Sequence, residues 1–280
     1  MRFPGQILET VLREPFSRLW TAESAFERAR TQQGDIVRAL EGRRTLRFEV
    51  NGKGYYLKAQ NGIGWKRILE DCLHLRKPVL GARNEWQAIE ACQAIGVPTM
   101  RALAYGERGE SWAHRESFLV TEAIEPAVDL DIFTRDWAAQ PPNPLLKHAL
   151  IGAVAELAGR FHRGGLNHRD FYLCHFLLRT DPPPQPDAVQ LSLIDLHRVQ
   201  IRTATPTRWR NKDLAALYFS ALKIGLTKHD KLRFLRAYFG RPLRRILDDE
   251  GATLNFLERE AARLELRFER KFANRPALER

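Results

Sequence analysis

Asp170 closes the run Leu166-Asn167-His168-Arg169-Asp170, His175 follows five residues later, and Asp195 ends the apolar stretch Leu191-Ser192-Leu193-Ile194. A carboxylate in a His-Arg-Asp turn, with a second carboxylate closing a downstream strand, suits phosphoryl transfer. The first accepts or orients the proton of an acceptor hydroxyl, and the second holds Mg²⁺ against nucleotide phosphates. Moving the γ-phosphoryl of ATP asks little covalent chemistry of a protein but much charge neutralisation and alignment. Two more groups are then required: a lysine on the phosphates and a carboxylate that fixes it.

Both have candidates upstream. Tyr55-Tyr56-Leu57-Lys58 is an apolar strand ending in an ammonium. Glu85, on the next helical segment, is the expected partner of Lys58, with Glu90 as competitor, because helical phase decides which carboxylate faces the sheet. Residues 118–124 read as a buried strand whose backbone at Glu122 and Ile124 would bind the adenine edge. The chain lacks a Gly-x-Gly-x-x-Gly loop and offers Glu41-Gly42-Arg43-Arg44-Thr45 in its first hairpin. Arg43 and Arg44 are therefore candidates to cover the phosphates by side-chain charge instead of backbone amides.

His175 stands where kinase-like enzymes usually place a metal-completing asparagine. Imidazole is a poorer Mg²⁺ ligand than an amide or carboxylate oxygen, so two roles stay open: metal contact, or a hydrogen bond to a phosphate oxygen or to Asp195. Asp213, in Arg210-Asn211-Lys212-Asp213-Leu214, is placed to cap a helix and to hold the backbone of the catalytic turn. His162, His168, His175 and His197 crowd this region, but no His-Glu-x-x-His or paired cysteine-histidine spacing supports a metal hydrolase.

The elements that must position these groups follow from periodicity. Residues 36–40, 45–50 and 55–59 are strand-like, and Asn51-Gly52 between the last two predicts a hairpin, since both residues tolerate positive φ. Residues 82–95 predict a helix with Trp86, Ile89 and Ile95 toward one side, stopped by Gly96 and Pro98. Strands resume at 99–105 and 117–124. A proline-rich connection over 136–144 leads to a helix over 145–162, with Leu146, Leu150, Val154, Leu157 and Phe161 at helical spacing, ended by Gly164-Gly165. Residues 181–187 hold four prolines and read as a loop between the two short strands that flank the carboxylates. From Asp213 on the chain reads as helical. Its stripe of Leu254, Leu257, Ala261, Leu264, Phe268 and Phe272 is expected to pack on the C-terminal lobe rather than on a membrane. The expected class is α+β, a bilobal protein-kinase-like fold: a small antiparallel-sheet N-terminal lobe over 1–124 and a larger, mostly helical C-terminal lobe over 125–280.

With 45 Lys and Arg against 34 Asp and Glu, the 280-residue chain carries a formal charge of +11, which favours an anionic partner. It has no groove-reading or aromatic RNA motif, so nucleic acid is not expected. Cys72, Cys92 and Cys174 are odd in number and form no Cys-x-x-Cys pair, which points to a reducing compartment. Arg2, Glu9, Arg13 and Glu14 break any signal core, and no apolar run approaches the ~20 residues of a membrane span. A cytoplasmic protein is expected, peripheral to a membrane at most.

Longer stretches are more specific: Gly34-Asp35-Ile36-Val37-Arg38, Glu41-Gly42-Arg43-Arg44-Thr45, Gly62-Ile63-Gly64-Trp65, Leu80-Gly81-Ala82-Arg83-Asn84-Glu85-Trp86, Asn167-His168-Arg169-Asp170 with His175-Phe176-Leu177-Leu178, and Arg208-Trp209-Arg210-Asn211-Lys212-Asp213-Leu214-Ala215-Ala216-Leu217-Tyr218-Phe219-Ser220. Over nearly the whole chain these closely resemble the lipopolysaccharide core heptose(I) kinase family. The resemblance implies ATP-dependent phosphorylation of the first heptose of the inner core, at its 4-hydroxyl, on the cytoplasmic face of the inner membrane of a Gram-negative cell. It implies Asp170 as base, Asp195 as metal ligand and Lys58 as phosphate lysine, and it makes a histidine at 175 part of the family pattern. The partners it implies are the anionic lipopolysaccharide inner-core acceptor, transient contact with the inner-membrane surface, and acyl carrier protein, a small acidic molecule that a +11 chain would attract. Arg169, Arg198, Arg208, Arg210 and Lys212 are the candidate acceptor contacts. A Kdo kinase, a protein kinase acting on tyrosine and a kinase-fold scaffold without activity are the alternatives. Retention of Lys58, Asp170 and Asp195 argues against the scaffold.

Overall fold

The computed structural model describes residues 7–40, 42–62, 81–109 and 115–273. Arg2, Glu41, Ile63, Gly64, Trp65, Cys72 and Leu80, singled out in the sequence, lie outside the described residues, as does the side chain of Phe272. The chain divides into two units, one of residues 1–94, 99–125 and 195–198, the other of 95–98, 126–194 and 199–280. The sequence predicts one cut after residue 124; in the structure two short segments also cross over, and one of them begins with Asp195.

The first unit is built on a six-stranded antiparallel sheet: β1 (Ile7–Leu12), β2 (Asp35–Leu40), β3 (Arg43–Val50), β4 (Lys53–Gln60), β5 (Ala102–Arg108) and β6 (Glu116–Glu122), ordered β1-β5-β6-β4-β3-β2. The β3–β4 hairpin turns through Asn51 at φ 51° and Gly52 at φ 74°, the positive pair that matches a two-residue connection to the strand twist. Two short helices, α1 (Phe16–Leu19) and α2 (Ala25–Thr31), supply Phe16 and Phe26, which join Trp20 and the sheet's Phe48, Tyr55, Leu57 and Phe118 in one buried cluster. The rings meet edge-on, Phe16 with Tyr55 at 5.2 Å and Phe26 with Phe118 at 5.1 Å, as their quadrupoles prefer. Side chains alternate across a strand, so burying Tyr55 and Leu57 in this cluster turns Lys58 to the opposite face. On that face lies α3 (Arg83–Ala94), whose Trp86 stacks on Tyr105 at 5.3 Å. The sequence reading assigned nothing before residue 36. β1 is stabilised by β5, whose paired residues lie 92 to 101 positions downstream, a partnership without local signature.

The second unit holds β7 (Ala127–Asp129), α4 (Leu130–Thr134), α5 (Pro144–Arg163), β8 (Leu166–Asn167), β9 (Phe176–Arg179), β10 (Leu191–Leu193), β11 (Gln200–Ile201), α6 (Thr207–Ser220), α7 (Lys228–Phe239), α8 (Leu243–Asp249) and α9 (Gly251–Phe272). Its strands form two small sheets, β10-β9-β7 and β11-β8. At the start of α5 the Asn143 side chain accepts the Leu145 N–H at 2.8 Å, with Pro144 in the first turn, where its missing N–H costs nothing. Past its end, Gly165 adopts φ 83°, and a Cβ there would collide with the Arg202 carbonyl, so the turn into β8 needs glycine. The C-terminal stripe packs inward as expected: Leu257 and Ala261 are buried and the Phe268 ring lies 6.0 Å from Phe219. Among the described residues no helix is long and apolar enough to cross a membrane. The class is α+β, a sheet-rich first part and a mostly helical remainder, as the sequence predicts.

Candidate active site

In the first unit Lys58 stands between two carboxylates. Its Nζ lies 2.6 Å from Glu85 Oε1 and 3.4 Å from Asp195 Oδ1. Glu85 occupies the first turn of α3 and is 3% exposed. Glu90, the competitor on that helix, faces elsewhere and takes both terminal nitrogens of Arg13 at 2.8 and 2.9 Å. Burial alone would depress the Lys58 ammonium, but Glu85 and then Asp195 outweigh it and hold its pKa above the ordinary value. Asp195 sits at φ 61°, a left-handed conformation that aspartate tolerates better than most residues. Its Oδ1 also meets His197 Nδ1 at 2.8 Å, and Asn84, next to Glu85, donates to the His197 carbonyl at 2.8 Å. Helix α3 thus holds both the lysine's partner and the segment that begins with Asp195.

These groups line a hollow of about 230 Å³ shared with Arg38, Arg43 and Arg44. Arg44 points its guanidinium at the carbonyls of Ala29 and Arg30, at 2.7 and 2.6 Å, so its charge is committed to the C-terminal end of α2. Arg43 lines the wall of the hollow. Arg38 and His197 were not picked out for it by the sequence reading; Arg38 lies on β2 opposite Thr45, the neighbour of Arg44 on β3, which was the available signal. Near the end of β6, the Glu122 N–H donates to the Arg101 carbonyl at 2.9 Å, while the Ile124 N–H has no hydrogen-bond partner among the described residues.

A second ion-pair cluster fixes the start of α3. Glu107, 1% exposed, accepts from Arg83 Nε at 2.7 Å and from the Tyr105 hydroxyl at 2.7 Å, and Arg115 lies 2.8 Å away. Burial would raise this carboxyl, yet Tyr105 and Arg83 hold it below its ordinary range. Glu107 was also missed, although its two-residue spacing from Tyr105 places both on one sheet face.

In the second unit Asp213 organises the turn of His168, Arg169 and Asp170. Its Oδ2 accepts the His168 N–H at 2.5 Å and its Oδ1 the Arg169 N–H at 2.9 Å, holding Arg169 at φ 75°. Asp213 is itself approached by His162 Nε2 at 3.3 Å, and His162 Nδ1 meets the Tyr238 hydroxyl at 2.8 Å. His168 is fully buried with Nε2 3.0 Å from the Ile194 carbonyl. A carbonyl only accepts, so the proton sits on Nε2 and Nδ1 is left to accept the Asp170 N–H at 3.3 Å. Burial depresses the His168 pKa and favours this neutral form. His175 donates from Nδ1 to the Asp170 carbonyl at 2.6 Å.

Of the candidate acceptor contacts, Arg210 is committed elsewhere, bonded to Glu250 at 2.8 Å and Thr253 at 3.1 Å, whereas Arg208 and Lys212 are exposed beside Trp209. Among the described residues no three His, Cys, Asp or Glu side chains form a metal cage. Mg²⁺ rarely requires one, since it keeps waters and substrate phosphates and takes one or two protein carboxylates, a donor set that Asp195 fits. The second unit also holds an apolar pocket of about 300 Å³, open to one side and lined by residues such as Trp137, Leu150, Val154, Leu214, Leu217 and Phe234. No feature of the sequence had signalled it.

The model of the lipopolysaccharide kinase (Kdo/WaaP) family matches residues 27–238. The chain is 58% identical over 264 residues to lipopolysaccharide core heptose(I) kinase WaaP of Pseudomonas aeruginosa, covering 94% of this chain and 97% of that one. It is 45% identical over 260 residues to WaaP of Escherichia coli K12, covering 93% and 98%. A solved structure described as WaaP in complex with acyl carrier protein aligns with a TM-score of 0.81 at 55% identity, covering 92% of this chain and 99% of that one.

Proposed function

Because the chain belongs to the lipopolysaccharide kinase (Kdo/WaaP) family, we propose that it is an ATP-dependent kinase that phosphorylates the first heptose of the lipopolysaccharide inner core. The observation that carries this reading is Lys58 fixed between Glu85 and Asp195, at 2.6 and 3.4 Å, in a chain 58% identical to a heptose(I) kinase.

The roles follow from charge and geometry. Lys58 meets the nucleotide phosphates, and Glu85 keeps its ammonium from swinging away. Asp195 would hold Mg²⁺, which when bound offsets the charge that develops on the transferred phosphoryl. Arg38 and Arg43 add positive charge to the same wall, with Arg44 holding the hairpin to α2. The Glu122 carbonyl and the Ile124 N–H serve the adenine edge. Asp170 takes the proton of the attacking sugar hydroxyl while the new O–P bond forms and the bond to ADP breaks. His175 steadies the turn through the Asp170 carbonyl and would be the second protein contact of the metal.

The heptose is preferred over Kdo or tyrosine because the relatives at 58% and 45% identity are both named for heptose(I); the 4-hydroxyl follows from the family resemblance. Functionally, residues 1–124 with the Asp195 segment bind nucleotide, and the rest of 125–280 carries base and acceptor contacts. We place the reaction on the cytoplasmic face of the inner membrane, where ATP and the glycolipid are both present. Acyl carrier protein is the proposed protein partner. The solved relative's complex supports it, as do the +11 charge and an apolar cavity able to admit an acyl chain.

The test is mass spectrometry of a heptose-containing core acceptor incubated with protein, ATP and Mg²⁺, beside an acceptor lacking that heptose and beside the Asp170→Asn variant. One phosphate added only to the heptose-containing acceptor and only by wild type is expected. Equal transfer to the heptose-free acceptor would replace this reading with the Kdo kinase.

A further inference from the structure

Three cations gather on one indole beside the catalytic turn. Lys212 Nζ, the Arg208 guanidinium and the Arg202 guanidinium lie 5.1, 5.3 and 5.9 Å from the Trp209 ring centroid. Among the described residues none of the three pairs with a carboxylate, in contrast to Arg210 on the same helix, which is neutralised by Glu250 at 2.8 Å. Like charges held within about a Debye length of one another repel. Cation–π attraction to the indole offsets part of that repulsion but supplies no counter-charge.

One of the three cations is also fixed in place. Arg202 donates to Asn167 Oδ1 at 2.5 Å and to Gln200 Oε1 at 2.7 Å, both neutral acceptors that fix the guanidinium without cancelling its charge. Asn167 lies three residues before Asp170, a span of at most about 10 Å along the chain. Trp209 lies one helical turn before Asp213, which holds the backbone of the same catalytic turn. An uncompensated triple charge at this place, with Arg202 already held, suits an anion that arrives with the acceptor, because the part of the charge held in position need not be ordered on binding.

We propose that Arg202, Arg208 and Lys212 around Trp209 form a subsite for the carboxylate or phosphate groups on the sugars that flank the phosphorylated one. This assignment rests on the kinase reading above and adds to it the part of the acceptor that is recognised. Arg202 is the fixed floor of the subsite, and Arg208 and Lys212 are its exposed arms. The subsite selects an acidic core oligosaccharide over a neutral one and makes acceptor binding sensitive to salt.

The experiment is calorimetric titration of deacylated inner-core oligosaccharide into wild-type protein and into the Arg208→Ala/Lys212→Ala double variant. Both side chains are exposed, so the variant keeps the fold. Binding weakened about tenfold or more in the variant is expected, with the affinity for ATP unchanged. Carboxyl-reduced and dephosphorylated oligosaccharides, titrated separately, identify the anion as the one whose removal abolishes the difference between the two proteins. Equal binding by both proteins overturns the proposal, as does a loss seen only with vesicles of anionic phospholipid, which would make the patch a membrane contact. Phosphoryl transfer by wild type is followed in parallel: transfer together with equal binding sinks the subsite alone, whereas absence of transfer sinks the heptose-kinase reading while the ratio of affinities still decides the subsite.

Discussion

Asp213 accepts the backbone N–H of His168 at 2.5 Å through a carboxylate that is 1% exposed. The shape of the His168–Asp170 turn is therefore set by a residue forty-five positions downstream, on α6. The second oxygen takes the Arg169 N–H, and this pair of bonds stabilises a positive φ at Arg169 that an arginine would not adopt unaided. The turn is a backbone conformation held by one buried charge.

Asp213→Asn replaces one of those acceptors by an amide donor facing a backbone N–H. Loss of a charged acceptor and burial of an unmatched donor should cost about 3 kcal/mol, visible as a lower urea midpoint. Displacing Asp170 by even an ångström should lower kcat about 100-fold. A variant with wild-type midpoint and wild-type kcat would show that the turn holds its shape without Asp213.

Lys58 tests the other half of the chemistry. Lys58→Met removes the cation between Glu85 and Asp195, and loss of a positioned phosphate contact should lower kcat/KM for ATP by roughly 100- to 1,000-fold. Glu85→Gln should act in the same direction but less, since Asp195 still attracts the ammonium. Steady-state kinetics with varied ATP read both. An Lys58→Met enzyme within a few-fold of wild type would remove the lysine from the phosphates.

What the sequence disclosed, and what it withheld, divides by range. Lys58 was legible because strand alternation is local: burying Tyr55 and Leu57 commits the next residue to the other face. The Asn51-Gly52 hairpin and the α5 boundaries were legible for the same reason, through turn chemistry and capping. The choice between Glu85 and Glu90 was not, because Glu90 is drawn off by Arg13, seventy-seven residues away. The expected use of Arg44 on phosphates met α2, an element the sequence reading had not foreseen, whose carbonyls hold that guanidinium. Trp209 and Arg202 drew no functional reading, since no local pattern tells a surface tryptophan from one that collects three charges.

His168 gives the catalytic turn a predictable acid response. Burial depresses its pKa below the ordinary 6.5, so the folded state stays neutral where the unfolded chain takes up a proton. Its contribution to stability is present above pH 6.5 and is lost as pH falls from there through the depressed folded value. One such group contributes at most about 1.4 kcal/mol per pH unit. Urea midpoints between pH 7.5 and 5 should therefore fall more steeply for wild type than for His168→Gln. Parallel slopes would mean that His168 protonates in the fold as easily as out of it.

Glu107 should influence catalysis without approaching the nucleotide. It grips Arg83, two residues before Glu85, so the phase of α3 and the position of the Lys58 partner depend on a buried carboxylate on β5. Glu107→Gln leaves Arg83 and Arg115 without their shared charge; because Arg83 is half exposed and water screens part of the loss, the cost should be near 2 kcal/mol, below the usual range for a broken buried pair. A merely structural role would stop there. A positioning role predicts in addition a raised KM for ATP and a lowered kcat, with Arg83→Lys, which keeps the charge, falling between wild type and Glu107→Gln. The wild-type carboxyl is held below its ordinary 4.5, so its stabilisation is complete above that pH and disappears as pH falls through the lower folded value. The difference in urea midpoint between wild type and Glu107→Gln should accordingly narrow below pH 4.5. If the variant is destabilised but keeps wild-type kcat and KM for ATP, Glu107 supports the sheet and the position of Glu85 is set elsewhere, by ties on α3 such as the Arg13–Glu90 pair and the Asn84–His197 bond.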